Sequence, residues 1–495
     1  MRNIKWYIKF SIYLDLILIL FSILLPQFFP ILISDIFRSP NDTPHILNAI
    51  SRWDAEYFRS IAEHGYIYEN QLAFLPLFPL LLNLFAKVLY FFFFEQIHFS
   101  TCIKLAGILM NMNLHIFTII TLKKLTDLMF SSQTFTAKTL IFYLFSPAKV
   151  FFISSYSESL FALFTFSGLY CLKSDKPFTA SIFFSLSCAT RSNGILNVGF
   201  IFYYCLNCIY VTQGKLNLFK EMMGCIIQTL LVVSPSLTYL WYGHYIFCKN
   251  ATIPAWHLET YGIMRGYNVR GIFKPEWCSY YIPNFYAHVQ KTHWNVGFLR
   301  YYELKQIPNF ALALPIIVIV ISFASNYFNK RRELIFNLGL MKSDNKYDGE
   351  LNMEGHTVSL HVLKSNDCDE NVQDEYTKLD EGSVARSEVQ EAHFKSMTRD
   401  FYCFILHGVF LCGFGLFFMH VQVTTRMVAS SSPLLYWIAA CVCKIDIVDR
   451  DIMADDVFKF FFNCSMSSIE RAIKLYFIGY AIIGCAAHSL YLPWT

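Results

Sequence analysis

Charge is what this sequence has least of: Asp, Glu, Lys and Arg make up 15% of 495 residues, against about 25% in an ordinary soluble domain. That scarcity excludes a soluble globular protein with a charged surface. The net charge of +4 is too small to point to nucleic acid. Closely spaced cysteines are few. Fifteen are scattered, mostly through apolar runs, with Cys441 and Cys443 two positions apart and Cys205 and Cys208 at C-x-x-C spacing inside the apolar run YYCLNCIYV; no second such pair accompanies it to complete a zinc knuckle, and they read as small core residues. Strict apolar–polar alternation over about ten residues, the mark of a membrane β-barrel, is absent, and no internal repeat suggests an inverted-repeat transporter.

What is present is apolar bulk. Hydrophobic residues reach 55%, aromatics 18%, and the mean hydropathy is +0.40. Runs such as LDLILILFSILL recur along the chain, and about 20 such residues cross a bilayer as a helix. The fold expected is an all-α polytopic membrane protein. The first run carries Arg2, Lys5 and Lys9 on its N-terminal flank and no small-x-small cleavage site, so it reads as a retained span over 10 to 33 with a cytosolic N-terminus. The positive-inside rule then places 34–73 in the lumen, Lys123, Lys124, Lys138, Lys173, Lys176, Lys215, Lys220 and Lys330 to Arg332 in the cytosol, and 248–306 again in the lumen. Spans are drawn at 139–156, 158–172, 178–191, 194–211, 223–247, 307–328, 401–420, 428–443 and 473–492. Between luminal Asp54 and cytosolic Lys123 the crossings must be odd in number, yet two apolar stretches, 74–94 and 102–122, lie there. Pro76 and Pro79 mark the first as the one that is re-entrant or interfacial.

Three regions follow. Residues 1–330 form a membrane bundle with luminal loops 34–73 and 248–306. Residues 331–400 hold 15 of the 36 acidic residues and few aromatics, the composition of a disordered cytosolic insert. Residues 401–495 return as C-terminal membrane helices. Of the glycosylation sequons, Asn41-Asp42-Thr43, disfavoured by flanking Pro40 and Pro44, and Asn250-Ala251-Thr252 fall on the luminal side and Asn463-Cys464-Ser465 on the cytosolic side.

The few charges near the luminal face are the candidates for chemistry. Asp54, in RWDAEYFRSIAEHGY between Trp53 and Glu56, has aromatic neighbours that would raise its basicity by desolvation; the plain alternative is a helix-capping acid. Glu158, after SPAKVFFISSYS, is either a second acid of the site or a first-turn acid favoured by the helix dipole. Arg191 in TRSNG and Arg426 in HVQVTTRM can fork onto a phosphate or reach toward lipid headgroups. His420, Gln422, His293 and Trp294 are nearby by topology. The aromatic-rich stretch before 307 fits an interfacial belt or a sugar-stacking platform alike.

The blocks RWDAEYFRSIAEHGY with AFLPLFPL, SPAKVFFISSYSESLFALFTF, RSNG, VGFLRYYELKQIPNFALALP and HVQVTTRMVASSSPLLYW, in this order, resemble the PIG-V family of mannosyltransferases of the endoplasmic reticulum. That resemblance implies a GT-C-type multi-span helical bundle with luminal loops. The enzyme would take mannose from dolichyl phosphate mannose and add it, α-1,6 and with inversion, as the second mannose of the lipid-linked glycosylphosphatidylinositol (GPI) precursor. Asp54 matches the family's first-loop acid and Glu158, more loosely, a second acid. Trp53, Glu56, Arg191, His420, Arg426 and Trp294 are carried as substrate-binding residues. The expected partners are the donor, the acceptor lipid and membrane lipid, with a small membrane subunit left open; no metal, cofactor or nucleic acid is expected. The insert at 331–400 lies outside the resemblance. The rivals are a transporter or scramblase of lipid-linked sugar phosphates, a non-catalytic assembly subunit, and a GT-C mannosyltransferase with another acceptor.

Overall fold

In lipid a backbone can satisfy its own polar groups within a single segment only as a helix. The computed structural model describes residues 2–31, 46–93, 96–211, 215–249, 252–281, 284–330, 332–340, 401–443, 454–462 and 466–494, and among these β structure is confined to one isolated bridge, Tyr68 with Val269. The helices run α1 Arg2–Phe28, α2 Asp54–His64, α3 Leu77–Phe92, α4 Phe99–Phe130, α5 Gln133–Leu144, α6 Lys149–Ile153, α7 Glu158–Lys173, α8 Pro177–Thr190, α9 Val198–Val211 and α10 Lys215–His244. There follow α11 Trp256–Met264, α12 Phe285–Trp294, α13 Ile307–Lys330, α14 Arg332–Phe336, α15 Phe401–Phe417, α16 Val423–Ser431, α17 Leu434–Val442, α18 Ala454–Phe462 and α19 Ser468–Ser489. Among the described residues, five stretches are long and apolar enough to cross a membrane: Ile4–Phe28, Phe99–Phe130, Leu216–Lys249, Leu304–Lys330 and Ser468–Ser489. The expected all-α polytopic architecture is the one observed.

Two expected spans are broken, each at a proline. The stretch drawn at 139–156 ends as α5 at Leu144 and restarts as the five-residue α6, because Pro147 has no N–H to donate and disfavours helical geometry at Ser146. The stretch drawn at 428–443 is likewise two short helices, α16 and α17, parted before Pro433. Both interruptions are buried, and both carry polar side chains into the interior of the bundle. At 74–94 the helix α3 has 16 residues, roughly 24 Å, short of the ~30 Å hydrocarbon core; α4, with 32 residues, exceeds it.

Two features depart from the plain reading of the apolar runs. The first span is not a simple anchor. Asp15 lies mid-helix, 1% exposed, with Oδ1 2.6 Å from Lys149 Nζ and Oδ2 2.9 Å from His115 Nδ1. The cysteines are not all isolated core residues either, since Cys248 and Cys278 form a disulfide. Their 30-residue separation hid a pairing that no short motif marks. The sequons at Asn41, Asn250 and Asn463 and the insert from 341 to 400 lie outside the described residues.

Candidate active site

The break before α2 prepares the site. Trp53 has φ 59° and ψ −128°, a left-handed value that costs a bulky residue roughly 1–3 kcal/mol. It turns the chain sharply into α2, so that Asp54 is the first helical residue. No side chain caps this helix. The carboxylate of Asp54 is turned instead to Arg426 on α16, Oδ2 to Nη1 2.7 Å. The capping alternative for Asp54 therefore does not hold in the structure.

Glu158 opens α7 and joins the same group. Its Oε1 is 2.5 Å from Arg191 Nη1 and 3.4 Å from Arg426 Nη1, while Arg191 also donates to Ser157 Oγ at 3.2 Å. The rings of Phe151 and Tyr156 lie 5.2 and 5.8 Å from the Arg426 guanidinium carbon, a cation–π setting that favours a fixed cation. Four side chains from α2, α7, α16 and the end of α8 thus form a chain of alternating sign, Asp54–Arg426–Glu158–Arg191. Their exposures differ in a way that matters: the Asp54 side chain is 25% exposed and that of Glu158 is 0%. Asp54 can touch a ligand; Glu158 acts on one only through the arginines it holds.

A cavity of about 350 Å³ opens on this chain, within the range of small-ligand sites. Trp53, Asp54, Arg191, Trp294, His420 and Arg426 all line it, so six of the eight sequence candidates meet in one place. Glu158 stands behind the wall. Glu56 goes elsewhere: it is buried, accepts from the Tyr491 hydroxyl, and lies in a knot where Arg52 covers the Tyr491 ring at 4.4 Å. Buried Arg191 Nε, Arg426 Nε and Gln422 Oε1 have no hydrogen-bond partner, leaving donors and an acceptor at the cavity for a polar ligand.

Another part of the cavity wall belongs to α12. Tyr286, Gln290 and Trp294 line the cavity, at intervals of four that put them on one helix face; that spacing is the sequence signal by which Tyr286 and Gln290 could have been found. His293 faces away and approaches Glu69, Nε2 to Oε2 3.5 Å, as His288 approaches Oε1 at 3.7 Å. Glu69 also accepts from Trp277 Nε1 at 2.7 Å and Asn268 Nδ2 at 2.5 Å. Burial raises the Glu69 carboxyl, but hydrogen bonds from His293, Asn268 and Trp277 outweigh it and hold the group below the usual carboxylate range. The Cys248–Cys278 bridge ties this same region. His420 reaches the Trp294 carbonyl through Nε2 at 2.6 Å and stacks on Tyr301 at 4.6 Å. Burial pushes its imidazole below the usual histidine range, so it is a neutral ring that fixes Trp294. Among the described residues no group of three or more His, Cys, Asp or Glu side chains could hold a metal ion.

A partly exposed acid and two guanidiniums thus meet at one cavity in a helical bundle, and comparison with known proteins bears on what they do. The family model of the PIG-V mannosyltransferases matches residues 4–495. The chain belongs to that family. GPI alpha-1,6-mannosyltransferase 2 of Cricetulus griseus is 29% identical over 479 residues, covering 91% of this chain and 88% of its own length. The human protein of that name is 28% identical over 477 residues with the same coverages, and GPI mannosyltransferase 2 of Drosophila melanogaster is 26% identical over 466 residues, again 91% and 88%. No solved structure gives a significant match. The PIG-V member described here is thus a membrane-embedded mannosyltransferase.

Proposed function

We propose that this PIG-V protein transfers mannose from dolichyl phosphate mannose to the 6-hydroxyl of the first mannose of the GPI precursor, with inversion, on the luminal side of the endoplasmic reticulum. The observation that carries the reading is the quarter-exposed Asp54 carboxylate held 2.7 Å from Arg426 at the cavity. An inverting transfer needs one base to take the proton of the attacking hydroxyl as its oxygen bonds to the anomeric carbon. Asp54 is that base. The bond from the anomeric carbon to the phosphate oxygen breaks, and the electron pair leaves with dolichyl phosphate. Arg426 and Arg191 receive the growing phosphate charge, since guanidinium forks match phosphate oxygens and gain strength out of water. Glu158 keeps both cations in place, and Trp294 with Trp53 offers faces for sugar rings.

The acceptor reading is supported by the names of the relatives, which specify a GPI α-1,6 linkage. The luminal assignment is supported by the Cys248–Cys278 bridge, because disulfides persist in oxidising compartments. A transporter reading has one observation in its favour, the ionisable cluster of Asp15, His115 and Lys149 within the spans. Those groups pair with one another and none lines the cavity, and family membership speaks for an enzyme. The test is product analysis: microsomes lacking the second GPI mannosyltransferase, carrying this chain, are given labelled dolichyl phosphate mannose and the one-mannose GPI lipid. A two-mannose lipid cleaved by an α-1,6-mannosidase is expected. Label on any other acceptor, with none on the GPI lipid, would replace the acceptor assignment.

A further inference from the structure

Segment 149–158 links the two buried charge clusters. At one end Lys149 belongs to the buried group around Asp15, Nζ 2.6 Å from Asp15 Oδ1 on α1 and 3.4 Å from His115 Nε2 on α4. At the other end Glu158 holds Arg191 and Arg426. Between them Phe151 and Tyr156 flank the Arg426 guanidinium, and Ser157 accepts from Arg191. Nearly every catalytic contact on this wall therefore depends on where ten residues lie.

One face of α4 seats this segment. Gly107, Asn111 and His115 recur at intervals of four, so they share a face. At Gly107 a Cβ would collide with the Ser155 side chain, and glycine lets the segment approach closely. Asn111 Nδ2 donates to both Ser154 O and Tyr156 O, the second at 2.9 Å, satisfying two carbonyls in a stretch that is not helical. His115 Nδ1 then meets Asp15 at 2.9 Å. Asp15, Asn111, His115 and Lys149 are each at most 1% exposed. A buried ion pair is an expensive way to gain stability, since apolar replacements often serve as well. What the pair supplies that an apolar contact does not is a fixed position.

We infer that Asn111 and the Asp15–Lys149–His115 cluster are positioning residues of the transfer reaction. They clamp segment 149–158 against α4 and α1 so that Glu158 meets both arginines, and through Arg426 they set Asp54 at the cavity. The inference rests on the reading of Asp54 and Arg426 as the reacting centre. None of the clamp residues lines the cavity, so their loss acts only through the arginines and Asp54, and the larger effect falls on the chemical step, where the phosphate charge those arginines meet is greatest.

The test uses the full chain in microsomes at matched abundance, with kcat and KM for dolichyl phosphate mannose measured separately. The double variant Asp15→Asn, Lys149→Met removes both charges together and so leaves no lone buried ion. It is expected to accumulate as wild type does, to lose kcat tenfold or more, and to keep KM within threefold. Asn111→Ala, which leaves the ion pair intact, is expected to do the same to a smaller degree. Lys149→Arg, retaining the charge, is expected to keep at least half of kcat, and Asn113→Ala, on the exposed side of α4, to change neither constant. Wild-type kcat in the double variant, or losses confined to abundance across the set, would overturn the inference. A wild-type chain that transfers no mannose would overturn the underlying reading, and the inference with it.

Discussion

The two buried charge clusters are built from the same chemistry and sit in opposite situations. In the closed group, Asp15, His115 and Lys149 are all at most 1% exposed and close on one another. In the cavity group the members differ: Glu158 is sealed, while the two ends, Asp54 and Arg191, reach the cavity with side chains 25% and 17% exposed. A closed cluster can only hold helices together, whereas an open one can exchange a partner for a ligand. The cavity group has donors without partners at Arg191 Nε and Arg426 Nε, which on the proposed reading are open to an incoming phosphate. Segment 149–158 joins the two, so rigidity in one is available to geometry in the other.

Substitutions separate these roles, and the largest effect is expected at the cation shared by both acids. Arg426→Ala should lower kcat/KM by about 10³-fold, as the loss of a transition-state charge stabiliser does, with protein abundance falling less because Phe151 and Tyr156 still wall the site. Steady-state kinetics in microsomes would check it, and a variant with only a raised KM would move Arg426 from chemistry to binding. In the closed cluster the order reverses. Asp15→Ala alone should cost about 3–5 kcal/mol by stranding Lys149, read as lost abundance and lost thermal resistance, and Lys149→Met should recover much of it when the two are combined.

The supports around α12 give smaller effects. Replacing both Cys248 and Cys278 by Ser should cost about 2–4 kcal/mol, measured as a lowered melting temperature in detergent, with the donor KM rising if α12 loosens. Glu69→Gln should cost about 1–3 kcal/mol, the range for a buried hydrogen-bonded group deprived of its proper partners. Its pH dependence has a definite sign. The folded carboxyl is held below its ordinary value, so the stability it supplies is complete above the unfolded pKa near 4.3 and is lost as pH falls through the folded value. Thermal melts from pH 6 down to pH 3 should therefore converge for wild type and Glu69→Gln at the acid end.

Much of the cavity group was legible because its members stand out locally. Asp54, Arg191 and Arg426 are charges at the edges of apolar runs, and the cost of burying them is visible without a fold. Glu158 was legible as a candidate but not as a sealed counter-ion, since burial is decided by helices far away in the chain. Glu56 misled for the reverse reason: two positions from Asp54 on a helix, it faces another way and meets Tyr491 near the C-terminal end. Asp15, His115 and Lys149 were invisible, because each is a lone ionisable residue in an apolar stretch and their sequence separations exceed 30 positions. The proline breaks at 147 and 433 carried a signal that hydropathy alone overrode. The helical membrane class survived all of this, as it depends only on composition and run length.

The central claim is that Asp54 takes the proton while Arg426 holds the phosphate. The most direct measurement is a single-turnover experiment on the purified full chain in nanodiscs, comparing wild type with Asp54→Asn for binding of dolichyl phosphate mannose and for transfer to the one-mannose GPI lipid. The account predicts that Asp54→Asn binds donor at least as tightly as wild type, since Arg426 loses a competing carboxylate, while transfer falls by about 10²–10⁴-fold, the contribution of a positioned base. Transfer by Asp54→Asn at the wild-type rate would contradict it.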